Sequence, residues 1–136
     1  QAPVGPSDTN LVKRVKITDF GLSKLAVPIE LTFDCCGTPA YVAPEVLHKV
    51  GYRQHVDVWA CGVILYSMVS KQLPFQSNDR KQTFKHIKER QPDFHSSAFQ
   101  DGVSEHCVDL IKKMLIKDPT KRITVDEALE HPFFTN

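Results

Sequence analysis

The sequence has 136 residues, 41% apolar and 24% charged, which fits one domain of ordinary size, or part of one, with a single core. Acids and bases are interspersed to a formal charge of +1, which argues against nucleic acid and anionic lipid as partners. Cys35, Cys36, Cys61 and Cys107 form no CxxC pair, the histidines supply no HExxH, and no apolar run reaches membrane length, so neither a zinc site nor a spanning helix is expected and a reducing, cytoplasmic setting is.

Residues 1–10 (QAPVGPSDTN) place two prolines and a glycine among small polar residues and are expected to form an exposed loop. In VKRVKIT, Val12 to Thr18, Val15 and Ile17 alternate with polar residues as a half-buried strand requires. That strand would deliver Asp19-Phe20-Gly21, where a carboxylate at an edge suits a metal ion and the glycine gives the backbone the conformational freedom needed next. Alone the tripeptide is a weak signal, since such a triplet is commonplace in turns. A polar, irregular stretch then leads to Ala43-Pro44-Glu45.

His55 to Ser70, HVDVWACGVILYSMVS, carries apolar residues around the whole circumference of a helix, so protein is expected on every side. At about 1.5 Å per residue the rod is roughly 24 Å long, too short for a membrane span. Asp57 near its start suits the positive end of the helix dipole, with a simple N-terminal cap as the plainer explanation. Asp79 to Arg90 reads as a basic amphipathic helix with Phe84 and Ile87 inward and a solvated charged face. Pro92 and the following HSSAFQDG are expected as loop, Ser104 caps a helix running through Met114 and Leu115, and Thr124 with Glu127 has capping-box spacing before a last helix that His131-Pro132 ends.

The ordered pair DFG and APE, about 25 residues apart, belongs to the protein-kinase signature set. From about Val15 to Phe134 the sequence resembles a eukaryotic protein kinase: CGTPAYVAPEV, VDVWACGVILYSMV, Leu73-Pro74-Phe75 and LIKKMLIKDPTKRITVDEALEHPFF follow in the family's order. By DFGLSK, GTPAYVAPEVL and DPTKRIT...HPFF it is most similar to serine/threonine kinases of the calcium/calmodulin-dependent group. The resemblance implies a mainly α fold, the C-terminal (lower) lobe of the kinase fold from the DFG strand onward. Residues 1–136 would be a partial kinase domain, with a loop at 1–10, an activation segment at 19–45, a central buried helix at 55–70 and C-terminal helices at 79–134.

The same resemblance implies roles. Asp19 would chelate the magnesium that bridges the ATP phosphates, within a cofactor-binding Asp19, Phe20 and Gly21, with Phe20 packed against the upper lobe. Gly37, Thr38 and Pro39 would hold the substrate residue just after the acceptor hydroxyl, with Thr38 touching the catalytic loop and favouring Ser/Thr over Tyr. Glu45 would pair with Arg122, and Asp57 would accept backbone hydrogen bonds from the catalytic loop. Asp34 stands where relatives carry the phosphorylated threonine of the activation segment, with Lys24 as its partner and Thr32 as a competing phosphosite; a solvated loop aspartate is the plain alternative. Ser67 takes a position where relatives directed to basic substrates have glutamate.

The glycine-rich loop, the strand lysine and the HRDxxxxN loop with its catalytic base do not occur in this sequence. This chain alone is therefore expected to be inactive, and the parent polypeptide a protein serine/threonine kinase using ATP and magnesium on a protein substrate. The alternative is a noncatalytic kinase-lobe binding or scaffold module. A regulatory segment or calcium sensor would lie outside this chain, and because the helices that usually cover one side of the central helix are missing, apolar surface there is expected to be exposed unless another segment, a second copy or a swapped assembly covers it.

Overall fold

A computed structural model describes residues 15–23, 38–48, 51–100 and 102–135, apart from the side chains of Leu22 and Gln100. The described residues are mainly helical and contain no strand element. None of the described helices is long and apolar enough to cross a membrane.

The longest element is α2, His55–Ser70, which ends where Lys71 turns left-handed (φ 59°) and returns its N–H to the Ser67 carbonyl at 2.8 Å. Val58, Trp59, Gly62, Val63 and Tyr66 form its buried side. Asp57, Cys61, Ile64 and Met68 recur at the spacing of one helical face, and that face is open, Met68 being 72% exposed. The described residues thus do not surround the helix on every side, and the open face is the apolar surface expected to be exposed where no other segment or second copy covers it.

Helix α5, Glu105–Met114, crosses the buried side of α2 and presents Cys107, Leu110, Ile111 and Met114. Its cap is local: the Ser104 hydroxyl accepts the Cys107 N–H at 3.2 Å. The crossing is close because Gly62 has no side chain; a Cβ there would lie 2.7 Å from Met114 Cβ and 3.0 Å from Leu115 Cδ2. Gly62→Ala therefore pits a helix-propensity gain of about 1 kcal/mol against an overpacking cost of about 1–3 kcal/mol. Since the nearest atom is the Cβ of Met114, which moves only with its backbone, we expect a net loss of about 1–2 kcal/mol in urea denaturation, an unchanged or higher midpoint being the contrary result.

Around this pair, the helical turn Pro39–Tyr41 and α1, Pro44–Leu47, lie against α3, Arg80–Glu89. Asp79 caps α3 by accepting the Gln82 N–H at 3.2 Å, and Thr83 and Ile87 are buried while Phe84 is half-buried. The Lys117 ammonium binds the Ile87 carbonyl in the last turn of α3 and lies 5.1 Å from the Phe75 ring, a cation at the negative end of a helix; burial pushes its pKa down.

Residues 95–102 are not wholly loop, because α4, Ser97–Gln100, forms within them. Its Phe99 enters an aromatic cluster with Tyr66 and Phe94 at centroid distances of 5.0 and 5.2 Å, and Tyr66 donates to the Asp93 carbonyl at 2.7 Å. Helix α6, Val125–Leu129, with its Thr124–Glu127 capping box, stops just before His131-Pro132 as expected, but it is not the last: Pro132 opens a further turn, α7, Pro132–Thr135. Buried His131 accepts the Phe133 N–H at Nδ1, which leaves Nε2 to donate to Asp109 at 2.9 Å; the bond from Lys113 and then that from His131 hold the Asp109 carboxyl below its ordinary range.

Over its described part the expected strand does not form: residues 15–19 have no regular structure, and Val15 and Ile17 are 92% and 83% exposed, so the alternation has no neighbour to pair with and no core to enter among the described residues. Val12 to Arg14 and the loop at 1–10 lie outside the described residues.

Candidate functional site

Glu45 sits in the first turn of α1 and Arg122 in the bend between α5 and α6, and both side chains are out of solvent. Arg122 Nη1 meets Glu45 Oε1 at 2.6 Å and Nη2 meets Oε2 at 2.9 Å, a bidentate pair between residues 77 apart in sequence. The remaining guanidinium donors go to backbone carbonyls: Nε to Ile116 at 2.9 Å, Nη1 to His55 at 2.8 Å and Nη2 to Lys117 at 3.3 Å. All five N–H groups are thus met, as a fully desolvated guanidinium needs. The cation also stands 5.1 Å from the Trp59 ring, and Trp59 stacks on Phe75 at 5.3 Å and 9°. Sequence motifs pointed to the pair but not to Trp59 or the three carbonyls; a lone tryptophan inside the most apolar helix was the available signal.

This post fixes the segment before it. Pro44 and Glu45 are buried in α1, and the turn Pro39–Tyr41 just upstream closes with Tyr41 N–H donating to the Thr38 carbonyl at 3.1 Å. Thr38 is exposed with its side chain making no cap bond, Pro39 is half-buried, and Ala40 is buried. The arrangement presents an exposed Thr38 and a half-buried Pro39 just upstream of the buried ion pair.

Asp19, Phe20 and Gly21 form a separate, exposed corner, a single helical turn over Phe20–Leu22. The left-handed backbone falls on Asp19 (φ 64°) and not on Gly21, correcting the expected role of the glycine; aspartate tolerates this region through its short polar side chain. Phe20 is 66% exposed, so its apolar ring packs on none of the described residues enough to leave water. No group of three or more His, Cys, Asp and Glu that could hold a metal occurs among the described residues. Magnesium asks for less, because it keeps several waters and is held by one or two carboxylates with substrate phosphates, and the exposed Asp19 carboxylate fits that demand.

Asp57 is exposed in the first turn of α2. One turn on, Cys61 is exposed at its surface, yet partial desolvation against the helix and then the Asp57 charge push its thiol pKa up. Ser67 donates to the Ile64 carbonyl at 2.9 Å. Lys24, Thr32, Asp34 and Gly37, with Cys35 and Cys36, lie outside the described residues.

Comparison with known proteins matches residues 7–134 to the protein kinase domain family. The chain is 46% identical over 122 residues to calcium-dependent protein kinase 29 of Arabidopsis thaliana, covering 90% of this chain and 22% of that protein. It is 44% identical over 124 residues to a probable serine/threonine-protein kinase of Zea mays, covering 90% of this chain and 19% of the relative. It is 43% identical over 123 residues to the delta subunit of calcium/calmodulin-dependent protein kinase type II of Oryctolagus cuniculus, covering 90% and 23%. The chain thus spans about a fifth to a quarter of the length of these curated relatives.

Proposed function

The chain belongs to the protein kinase domain family, and from that premise we propose that the polypeptide carrying it transfers the γ-phosphoryl group of ATP to serine or threonine hydroxyls of proteins. The observation that carries the reading is the family match across residues 7–134, running through Asp19-Phe20-Gly21, Ala43-Pro44-Glu45 and Arg122 in order. Magnesium with ATP supplies the polarised phosphoryl group and neutralises charge developing on it. Asp19 would hold that ion, with Phe20 and Gly21 shaping the corner. Gly37, Thr38 and Pro39 would position the residue after the acceptor. Glu45 and Arg122 would keep that edge in place, and Asp57 would anchor backbone of the catalytic loop supplied from upstream. The base is not in this chain, so its own contribution is positioning and not proton transfer.

A cytoplasmic setting and control by a calcium sensor or regulatory segment outside this chain complete the reading, the latter drawn from the names of two relatives. The test is phosphate transfer from magnesium-ATP to a protein by the intact polypeptide, with and without calcium, followed by identification of the modified residue. Labelled phosphoserine or phosphothreonine is expected; transfer to tyrosine alone, or none under any condition, overturns it.

Asp34 is proposed as a built-in negative charge for the activation segment, paired with Lys24. It offers one charge and two oxygens where a phosphate offers about two charges and three oxygens, so its effect should be partial. An exposed pair of this kind is worth only about 0–1 kcal/mol. Asp34→Asn should lower the activity of the intact polypeptide several-fold while phosphatase treatment changes little. Dependence on phosphorylated Thr32, or an unaltered rate in Asp34→Asn, would assign the switch elsewhere.

A further inference from the structure

The outer face of α3 is the most basic surface the described residues carry outside the proposed machinery. Arg80, Lys81, Lys85 and Lys88 are all exposed there. On a helix Lys81, Lys85 and Lys88 project within about 60° of one another over a length of about 10 Å. None of these three lysines takes part in a hydrogen bond or ion pair among the described residues, although other surface lysines, Lys113 and Lys121, are paired. Arg80 lies with its guanidinium 5.2 Å from the Phe84 ring, beside the stripe.

The opposite face of α3 decides where this charge sits. Its buried residues, Thr83 and Ile87, hold α3 in contact with both Pro39–Tyr41 and Pro44–Leu47. The three ammonium groups therefore lie on the far side of a helix that touches the Thr38-Pro39 edge, within reach of substrate residues away from the acceptor, and no described carboxylate is ion-paired with them.

We propose that this face of α3 is a docking surface for an acidic stretch of the protein substrate, outside the residues immediately around its acceptor hydroxyl. The inference rests on the kinase reading above and adds the substrate class to it. An extended segment advances about 3.3 Å per residue, so a run of about four acidic residues matches the length of the lysine stripe. With a Debye length of about 8 Å at physiological salt, the three lysines act together on such a run and little on anything further away. Nucleic acid fits less well: the stripe is only about 10 Å long on a chain of formal charge +1, and the exposed Glu89 carboxylate stands one turn beyond Lys85 at its end. A membrane surface fits less well too, because Phe84, the aromatic residue of the patch, is half-buried.

The test compares two peptide substrates of the intact polypeptide, identical around the acceptor serine, one carrying four glutamates in its flank and the other four glutamines, with the run placed before the acceptor in one pair and after it in another. For one placement, the glutamate peptide should show a KM lower by about tenfold at low salt with kcat unchanged, an advantage that shrinks as salt rises. Lys81→Glu/Lys85→Glu/Lys88→Glu should erase or reverse it, and Lys81→Gln/Lys85→Gln/Lys88→Gln should erase it while keeping the exposed surface uncharged. Fluorescence anisotropy of a labelled glutamate flank lacking the serine, titrated with the intact polypeptide and with both variants of it, reads docking without catalysis. Binding that is lost in both variants while no peptide is phosphorylated would sustain docking and sink the kinase reading. Phosphorylation with equal KM for both peptides at both placements would sink docking and leave the kinase reading standing. A single-stranded oligonucleotide or anionic vesicles displacing the peptide at lower concentration than the unlabelled peptide itself would also overturn the proposal.

Discussion

Arg122→Ala is expected to cost the chain about 3–5 kcal/mol, the range for removing one partner of a buried ion pair. Against total stabilities of about 5–15 kcal/mol that is a large share. The loss has three sources. The Glu45 carboxylate, with its side chain only 6% exposed, stays buried without its cation; the carbonyls of His55, Ile116 and Lys117 lose their donor; and the Trp59 ring loses the charge beside it. Arg122→Lys should recover little, since three ammonium donors on a flexible stem cannot reproduce five in a planar fork. Urea denaturation of the wild-type chain and both variants measures this. A loss under about half a kcal/mol for Arg122→Ala, or full recovery by lysine, would mean that the pair is geometry without energetic weight.

Phosphoryl transfer by the intact polypeptide should fall by about a hundred- to a thousand-fold or more in Asp19→Ala, the scale for losing one preorganised charge-stabilising group. The side chain is exposed, so the thermal midpoint should hardly move, which separates a chemical loss from unfolding. This chain by itself should give no turnover above a blank. A missing general base alone costs about 10²- to 10⁴-fold, and the nucleotide clamp is missing with it. Turnover by the isolated chain that survives Asp19→Ala would point to a contaminant, whereas turnover abolished by that substitution would show that the chemistry does not need the upstream half. An intact polypeptide indifferent to Asp19→Ala would remove the residue from the metal site.

Features that depend on near neighbours and on motif order are legible in the sequence without its fold. The caps at Ser104 and Thr124 are readable because a side-chain oxygen and the N–H it accepts are three residues apart, and the apolar stripe of α5 is readable because its period belongs to the helix. The family is readable because several spaced motifs coincide, and the Glu45–Arg122 partnership was named from them across 77 residues. Packing settles the rest. Alternation at Val15 and Ile17 states a capacity for pairing, and only a neighbouring strand could realise it. The apolar circumference of α2 states a demand for neighbours on all sides, and only the packing shows that the face of Ile64 and Met68 lacks one among the described residues. Ser97–Gln100 reads as loop from its composition, yet burying Phe99 against Tyr66 and Phe94 outweighs the weak propensity of four residues. Arg122 finds its five acceptors in three separate places along the chain, Glu45, His55 and Ile116-Lys117, and Gly62 must stay bare because Met114, far along the chain, has its Cβ 2.7 Å from where the Gly62 Cβ would be. Contacts of that kind have no local signature, because they exist only when the chain has folded and brought distant segments within a bond's length.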